Sequence, residues 1–153
     1  MNDNLQIYVD GSFSPDTKTG GWAFVVYRNG IEVTSNSGRV DAQSNGQMEV
    51  LALFQALEWI VSSAPGEQVV VWCDSHYVVD GCNRLLKIWR TNGWKRVTAN
   101  PHERKRSIPD RELWRSIDQS LPKLTFTTIM WCKGHCGNAG NEQADKLASI
   151  QSL

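Results

Sequence analysis

Apolar residues near the amino terminus recur at every second position, the spacing of β-strands. Residues 5–9 alternate in this way up to Asp10-Gly11-Ser12, so we predict a strand that runs into a turn. A second, mostly apolar strand is predicted over 22–27. Asn29-Gly30 is a strong hairpin signal that would join it to a third strand around 32–37. The pattern therefore predicts three antiparallel strands at the start of the chain.

From Met48 the apolar spacing changes to that of a helix, which continues to Ile60 and ends at Ala64-Pro65-Gly66. The β-branched run over 69–73 then predicts a fully buried strand. Further along we expect a last strand over 125–131 and helices over 76–89, 108–122 and 139–149. This order predicts one α/β domain over 1–153, with a five-stranded mixed sheet (three antiparallel strands, then two parallel) flanked by helices.

Composition excludes several classes of protein. The 153 residues are 41% hydrophobic, enough for one core. No apolar run approaches the roughly 20 residues needed to span a bilayer, and the first residues lack a secretory pattern. We therefore expect a cytoplasmic protein without membrane contact. No spare apolar face is evident, so we also expect a monomer with no obligate protein partner.

Charge is balanced overall but unevenly distributed. The chain has sixteen Lys and Arg residues and sixteen Asp and Glu residues, so its formal net charge is zero. Residues 84–106, the basic protrusion, hold eight of the cations and a single acid, Glu103. The tryptophans of this segment, Trp89 and Trp94, are interleaved with Lys87, Lys95 and Arg96. Such a segment fits phosphate contacts combined with stacking. The alternative is a solvated amphipathic helix whose tryptophans pack on the core, and we expect this for one of the two tryptophans.

Four acids stand where catalytic carboxylates would be expected. Asp10 ends the first strand, Asp74 ends the buried strand, Glu49 lies near the start of the long helix, and Asp145 lies on the closing helix. Carboxyl ends of adjacent strands meet at one edge of an α/β sheet, and hard oxygen ligands select Mg²⁺ or Mn²⁺. Taken singly, each acid also fits a turn, a helix cap, a favourable helix-dipole contact or a solvated surface.

The glycine-rich loop over 133–140 contains a further candidate. Its imidazole, His135, could transfer a proton or assist product release beside a metal site, although a single loop histidine is commonly just exposed. Cys132 and Cys136 flank it, but spacing suggests no fourth ligand for zinc. We expect free thiols, and a disulfide between these two cysteines stays open.

Four ordered blocks of sequence resemble the type 1 ribonucleases H, and the resemblance covers nearly the whole chain. These blocks are Tyr8-Val-Asp-Gly-Ser12, Ser44-Asn-Gly-Gln-Met-Glu49, Cys73-Asp-Ser-His-Tyr-Val78, and Trp131-Cys-Lys-Gly-His135 with Gly140-Asn-Glu-Gln-Ala-Asp145. Each block alone would be weak, whereas the four in this order are specific. The resemblance implies a ribonuclease H-like fold.

It also implies an activity, which is endonucleolytic hydrolysis of the RNA strand of RNA/DNA hybrids to 5′-phosphate and 3′-hydroxyl ends. In that interpretation two Mg²⁺ ions, for which Mn²⁺ could substitute, are held by Asp10, Glu49, Asp74 and Asp145. Asp10 would bridge both ions, and Glu49 would also contact the ribose 2′-OH beside the scissile phosphate. His135 stands at the family's loop histidine.

The resemblance carries over to substrate contacts less uniformly. The positions it implies are Gly11, Ser12, Ser44, Asn45, His76, Lys87, Trp89, Trp94, Lys95 and Arg96. Three positions depart from the family pattern: Leu85 replaces a stacking Trp, Gln47 a frequent Arg, and Asp110 a frequent Asn. These departures concern hybrid affinity and leave the reaction class unchanged.

Two other functions are compatible with parts of the pattern. A resolvase or integrase-type nuclease would share the fold, but the block around Glu49 and the basic protrusion argue against it. A binding module without catalysis is the other alternative. It would gain nothing from four acids beside phosphates.

Overall fold

The computed structural model describes residues 4–135 and 137–153. Its five-stranded sheet has the order β3-β2-β1-β4-β5. The strands are β1 (Leu5–Ser14), β2 (Thr19–Arg28), β3 (Ile31–Asp41), β4 (Val69–Cys73) and β5 (Thr127–Trp131). β1 to β3 form an antiparallel meander, and β4 and β5 run parallel to β1, so the predicted mixed sheet is confirmed.

Five α-helices accompany the sheet in the described residues. They are α1 (Asn45–Ser63), α2 (His76–Asp80), α3 (Leu86–Thr91), α4 (Arg111–Ser120) and α5 (Ala139–Gln151). The helix expected over 76–89 is interrupted by a π-helical turn, Gly81–Leu85. A β-carbon on Gly81 would lie 2.3 Å from the Trp114 ring, so only glycine permits this approach of the backbone to α4.

The prediction of a turn at Asp10-Gly11-Ser12 is wrong. β1 continues through these residues to Ser14, because its antiparallel pairing with β2 extends to Ser14 opposite Thr19. The alternation of apolar residues ends at Val9, but the pairing of β1 with β2 continues beyond this residue. Asp10 therefore lies within a paired strand, which restricts its motion.

The core lies between the sheet and α1 and extends to α4, which packs against α1. Its fully buried side chains include Ile7, Val9, Leu53, Leu57, Ile60, Val71, Trp114 and Ile117. Burying each such side chain contributes about 1.5–3 kcal/mol relative to leaving it exposed. α5 contacts β1 and β2, where the Ala148 carbonyl lies against the α-carbon of Gly21. In the described residues no helix is both long and apolar enough to cross a membrane.

Side-chain caps fix the starts of three helices. Ser44 Oγ accepts from the Gln47 amide (3.1 Å) before α1, and Ser75 Oγ accepts from the Val78 amide (3.3 Å) before α2. Asn138 Oδ1 accepts from the Asn141 amide (3.0 Å) before α5. Such caps satisfy amides that the helix leaves unpaired, each contributing about 1 kcal/mol. The three capped segments carry or adjoin Glu49, Asp74 and Asp145.

Candidate active site

Two of the four acids meet because of strand register. β1 and β4 are adjacent and parallel, with Val9 opposite Cys73, so Asp10 and Asp74 follow at the same edge of the sheet. Asp10 is buried, with 6% of its surface exposed, and its Oδ1 accepts from the Gly11 amide at 2.9 Å. Asp74 is half-buried. The expectation that strand ends bring these two carboxylates together is confirmed.

Glu49 joins them because α1 crosses β1 at a glycine. A β-carbon on Gly11 would lie 2.4 Å from the Met48 carbonyl carbon and 2.5 Å from the Glu49 nitrogen. Only a residue without a side chain allows this contact between strand and helix. Asp10, Glu49 and Asp74 each offer an oxygen, and the three oxygens lie within 4.8 Å of one another.

α5 contributes the fourth acid and a positioning amide. The charge of Asp145 acts on Asp10, so this carboxylate adjoins the cluster, although it is not among the three that meet within 4.8 Å. Asn141, which is 1% exposed, donates from Nδ2 to Asp74 Oδ2 at 3.5 Å. The role of Asn141 is absent from our sequence prediction, although the residue lies in a block that carried the resemblance.

The cluster is electrostatically strained. Burial, followed by the charges of Asp74 and Asp145, raises the pKa of Asp10 to about 8, against the partial relief given by the Gly11 amide. Burial and Asp74 raise the pKa of Glu49 to about 7. A divalent cation bound by carboxylates that repel one another in this way would stabilise their charged forms. The all-oxygen donor set fits Mg²⁺ or Mn²⁺.

The loop before α5 touches the cluster. A β-carbon on Gly134 would lie 2.7 Å from Asp74 Oδ2, so the loop backbone lies directly against that carboxylate. His135, the next residue, is exposed and has a left-handed backbone (φ 54°). The imidazole is therefore open to solvent, one residue after the glycine that touches Asp74. The open question of a disulfide to Cys136 falls on a residue outside the described ones.

Near the cluster, the predicted substrate residues occupy different environments. Gly11 is buried against α1, Ser12 Oγ lies 2.9 Å from Ser152 Oγ, and Asn45 is exposed as the first residue of α1. His76 is exposed and stacks on Trp131, with ring centroids 4.2 Å apart and planes at 14°. Trp131 is not among the predicted substrate residues, but it lies on the edge strand β5 and is 39% exposed.

In the basic protrusion, several cations are already paired. Bidentate ion pairs join Arg84 to Asp80 and Arg90 to Asp118, at 2.8–3.0 Å. Arg96 pairs with Glu103 at 2.8 Å. The exposed lysines Lys87, Lys95 and Lys105 have no ion pair among the described residues.

The two tryptophans of the protrusion differ. Trp89 is 3% exposed and packs edge-on against Trp114, at a centroid distance of 5.2 Å. The core-packing alternative therefore holds for Trp89, and no base can stack on it in this conformation. Trp94 is half-buried, with Arg115 6.0 Å above its ring.

A cavity of about 520 Å³ separates the start of α1 from the protrusion. Its lining residues are Ser44, Gly46, Tyr77, Leu85, Trp89, Arg96, Val97, Thr98, Glu103, Ile108, Pro109 and Asp110. Burial raises the pKa of Asp110, which has a left-handed backbone (φ 58°). The cavity thus includes Leu85 and Asp110, two of the three departures from the family pattern.

Comparisons with known proteins agree with this geometry. The family model for RNase H matches residues 2–152. A protein named Ribonuclease H from Francisella philomiragia subsp. philomiragia is 31% identical over 147 residues, covering 96% of this chain and 90% of the relative. Another of that name, from Francisella tularensis subsp. novicida, is 32% identical over 142 residues, covering 93% of this chain and 86% of the relative.

Solved structures show the same architecture. LC9-RNase H1, described as a type 1 RNase H with the type 2 active-site motif, aligns with a TM-score of 0.79 at 25% identity, covering 99% of this chain and 73% of that one. A foamy viral protease-reverse transcriptase, solved in complex with RNA/DNA hybrid, aligns with a TM-score of 0.81 at 23% identity. The alignment covers 97% of this chain but 20% of the viral one, and at this identity it shows the fold alone.

Proposed function

This chain belongs to the RNase H family, and from that premise we propose that its carboxylate cluster hydrolyses the RNA strand of RNA/DNA hybrids by two-metal-ion catalysis. The chain is a hydrolase of the ribonuclease H type. The observation that carries the proposal is the convergence of Asp10, Glu49 and Asp74 within 4.8 Å, with the pKa of Asp10 raised to about 8 and that of Glu49 to about 7. We further propose that residues 1–153 act as one catalytic domain.

The metal ligands in this proposal are Asp10, Glu49, Asp74 and Asp145. Asp10 is the most buried of them, and the charges of both Asp74 and Asp145 act on it, so it would hold the metal at the centre of the cluster's charge. When bound, Mg²⁺ would supply an activated water and stabilise the leaving 3′-oxygen, giving 5′-phosphate and 3′-hydroxyl ends. Asn141 donates to Asp74 Oδ2 and so would orient this carboxylate for metal binding.

Selection of the RNA strand and proton transfer fall to separate residues. Glu49 lies beside Gly11, in reach of a ribose 2′-OH next to the cluster, which would distinguish RNA from DNA. His135 is exposed on the loop that touches Asp74, so it can carry a proton between the site and solvent.

Contacts to the hybrid are proposed for two groups of residues. The first group is Gly11, Ser12, Asn45 and the stacked ring of His76. The second is Ser44 and the protrusion, through Lys87, Lys95, Arg96 and the partly exposed Trp94. Trp89 supports this surface from the core. Because cationic side chains dominate the second group, binding should weaken as salt concentration rises.

The chemistry of the product ends tests the mechanism. Fragments from a hybrid whose RNA carries a 3′ label should lose a terminal phosphate on treatment with phosphatase, and should be ligatable through that 5′ phosphate. Fragments ending in a 2′,3′-cyclic phosphate would indicate attack by the ribose 2′-OH, which needs no metal-activated water, and would overturn the two-metal proposal.

A further inference from the structure

Arg96 is the sole cation among the described residues that line the cavity of about 520 Å³. Two acids, Glu103 and Asp110, share the lining with it. A cavity of this size accommodates a nucleotide-sized group. The orientation of one guanidinium therefore decides whether the cavity can attract an anion.

Arg96 is held at two of the three nitrogens of its guanidinium. Its Nη1 donates to Glu103 Oε2 at 2.8 Å, and its Nε donates to the Ser107 carbonyl at 3.4 Å. Its Nη2 makes no hydrogen bond within the described residues. Since the guanidinium is a rigid planar fork, fixing Nε and Nη1 also fixes the direction of Nη2.

Glu103 is itself held in place by the loop. It begins a 3₁₀ turn, Glu103–Lys105, and its amide donates to the Asn100 carbonyl at 3.1 Å. Its Oε1 lies 3.6 Å from Arg106 Nη1. The Arg96 amide donates to the Arg106 carbonyl at 3.0 Å, which joins the two sides of the loop. These contacts order the loop around Glu103, so its carboxylate can hold the guanidinium of Arg96 in one position.

An acid in this position weakens the attraction of the protrusion for phosphates. Glu103 is the single acid among eight cations in residues 84–106. Its charge opposes long-range attraction of a polyanion, so its contribution must come from the local order that it imposes. An Arg side chain loses rotamer entropy when a ligand immobilises it, and a residue that orders it beforehand removes part of that cost.

We propose that Glu103 is a positioning residue that holds Arg96 with its remaining nitrogen, Nη2, toward a phosphate group of nucleic acid bound in the cavity. The proposal rests on the proposed function, since it names the residue that orders one contact to the hybrid. Glu103 touches no substrate in this role. It acts through Arg96.

The test compares Glu103→Ala and Glu103→Gln with the wild type, using binding of a fluorescent RNA/DNA hybrid in EDTA and cleavage kinetics in Mg²⁺. Glu103→Ala should weaken binding and raise KM about fivefold with kcat unchanged. A fivefold change corresponds to about 1 kcal/mol, which is the upper range for an exposed ion pair such as Arg96 with Glu103. Glu103→Gln, which can still accept from Nη1, should recover most of the loss. The control is Glu112→Ala, since Glu112 pairs with Arg111 and Arg115 away from the cavity.

A double-mutant cycle separates positioning from a general structural effect. In an Arg96→Ala background, Glu103→Ala should change affinity no further. An equal loss of affinity in the Arg96→Ala background would overturn the proposal. Unchanged or tighter binding by Glu103→Ala alone, compared with the wild type, would also overturn it. If the wild-type protein binds hybrids without cleaving them, the proposed function is refuted. The binding measurements on the Glu103 variants would still test the positioning role of Glu103. A wild type that binds no hybrid would refute both.

Discussion

Gly11 lies against the backbone of Glu49, and a β-carbon at position 11 would be 2.5 Å from the Glu49 nitrogen. This single contact sets the distance between β1, which carries Asp10, and α1, which carries Glu49. Two of the proposed metal ligands are thus brought together by a residue with no side chain. The packing of strand on helix and the geometry of the site depend on the same glycine.

Gly11→Ala should therefore damage both stability and activity. The added methyl group would overlap the Met48 backbone, and overpacking of this kind costs about 1–3 kcal/mol. The measurement is thermal unfolding together with hybrid cleavage. Gly46→Ala is the matched control, because its β-carbon would meet only Ser44 Oγ, at 4.0 Å, and alanine favours a helix by about 0.5–1 kcal/mol. Normal melting and cleavage by Gly11→Ala would contradict the role of this contact.

The raised pKa of Asp10 predicts how stability depends on pH without metal. Because the folded-state pKa of about 8 exceeds the ordinary value of 3.8, the folded protein binds a proton that the unfolded chain lacks between these limits. Stability in EDTA should therefore fall as pH rises from about 4 to about 8. Thermal unfolding across this range measures the slope. Added Mg²⁺ at pH 8 should raise the melting temperature.

Asp10→Asn provides the matching variant for that experiment. Removing the buried charge should stabilise the metal-free protein at pH 8 by roughly 2 kcal/mol, since each pKa unit is worth about 1.4 kcal/mol and neighbouring acids share the shift. The dependence of its melting temperature on pH should be flatter than that of the wild type. An Asn variant that melts lower than the wild type at pH 8 in EDTA would show that the cluster is not strained.

His135→Ala should slow turnover without abolishing it. Removal of a proton-transferring group lowers kcat roughly 10²-fold, whereas the carboxylates that hold the metal stay in place. The measurement is kcat against pH and against Mg²⁺ concentration. His102→Ala is the control, because His102 is also an exposed loop histidine but belongs to the protrusion. Loss of Mg²⁺ affinity in the His135 variant would show that its role is structural or metal-binding.

The unpaired lysines of the protrusion should carry its salt-dependent binding. Lys87→Ala with Lys95→Ala should raise KM about tenfold, leave kcat nearly unchanged, and reduce the slope of log affinity against log salt by about 2. Arg84→Ala with Arg90→Ala removes the same charge from ion-paired positions. If both pairs of substitutions change KM equally, bulk charge rather than specific phosphate contact explains the binding.

The carboxylate site could be predicted from sequence because its geometry follows from strand ends. Once β1 and β4 are neighbours, the register of Val9 opposite Cys73 brings Asp10 to Asp74. The start of α1 follows in the same way from Ser44, whose hydroxyl caps the helix that carries Glu49. Local chemistry and strand order were sufficient here.

The protrusion could not be predicted in the same detail. The apolar residues of its loop follow no helical or strand spacing. The contact of Arg96 with Glu103 therefore depends on how the two sides of the loop pair, as in the hydrogen bond from the Arg96 amide to the Arg106 carbonyl. The burial of Trp89 depends on Trp114, 25 positions further along the chain. The length of β1 was underestimated because pairing with β2 continues where the alternation of apolar residues stops. Long-range contacts of this kind leave little trace in a single sequence.

Asp10, Glu49 and Asp74 are proposed to form a metal site that cuts RNA in a hybrid. The decisive experiment incubates end-labelled RNA/DNA, RNA/RNA and DNA/DNA duplexes with the protein and Mg²⁺. We expect cleavage of the RNA strand in the hybrid alone, lost both in EDTA and in the Asp10→Asn variant, which should still bind the hybrid. Cleavage of DNA/DNA would instead indicate a resolvase or integrase-type nuclease, and binding without cleavage of any duplex would refute the proposed activity.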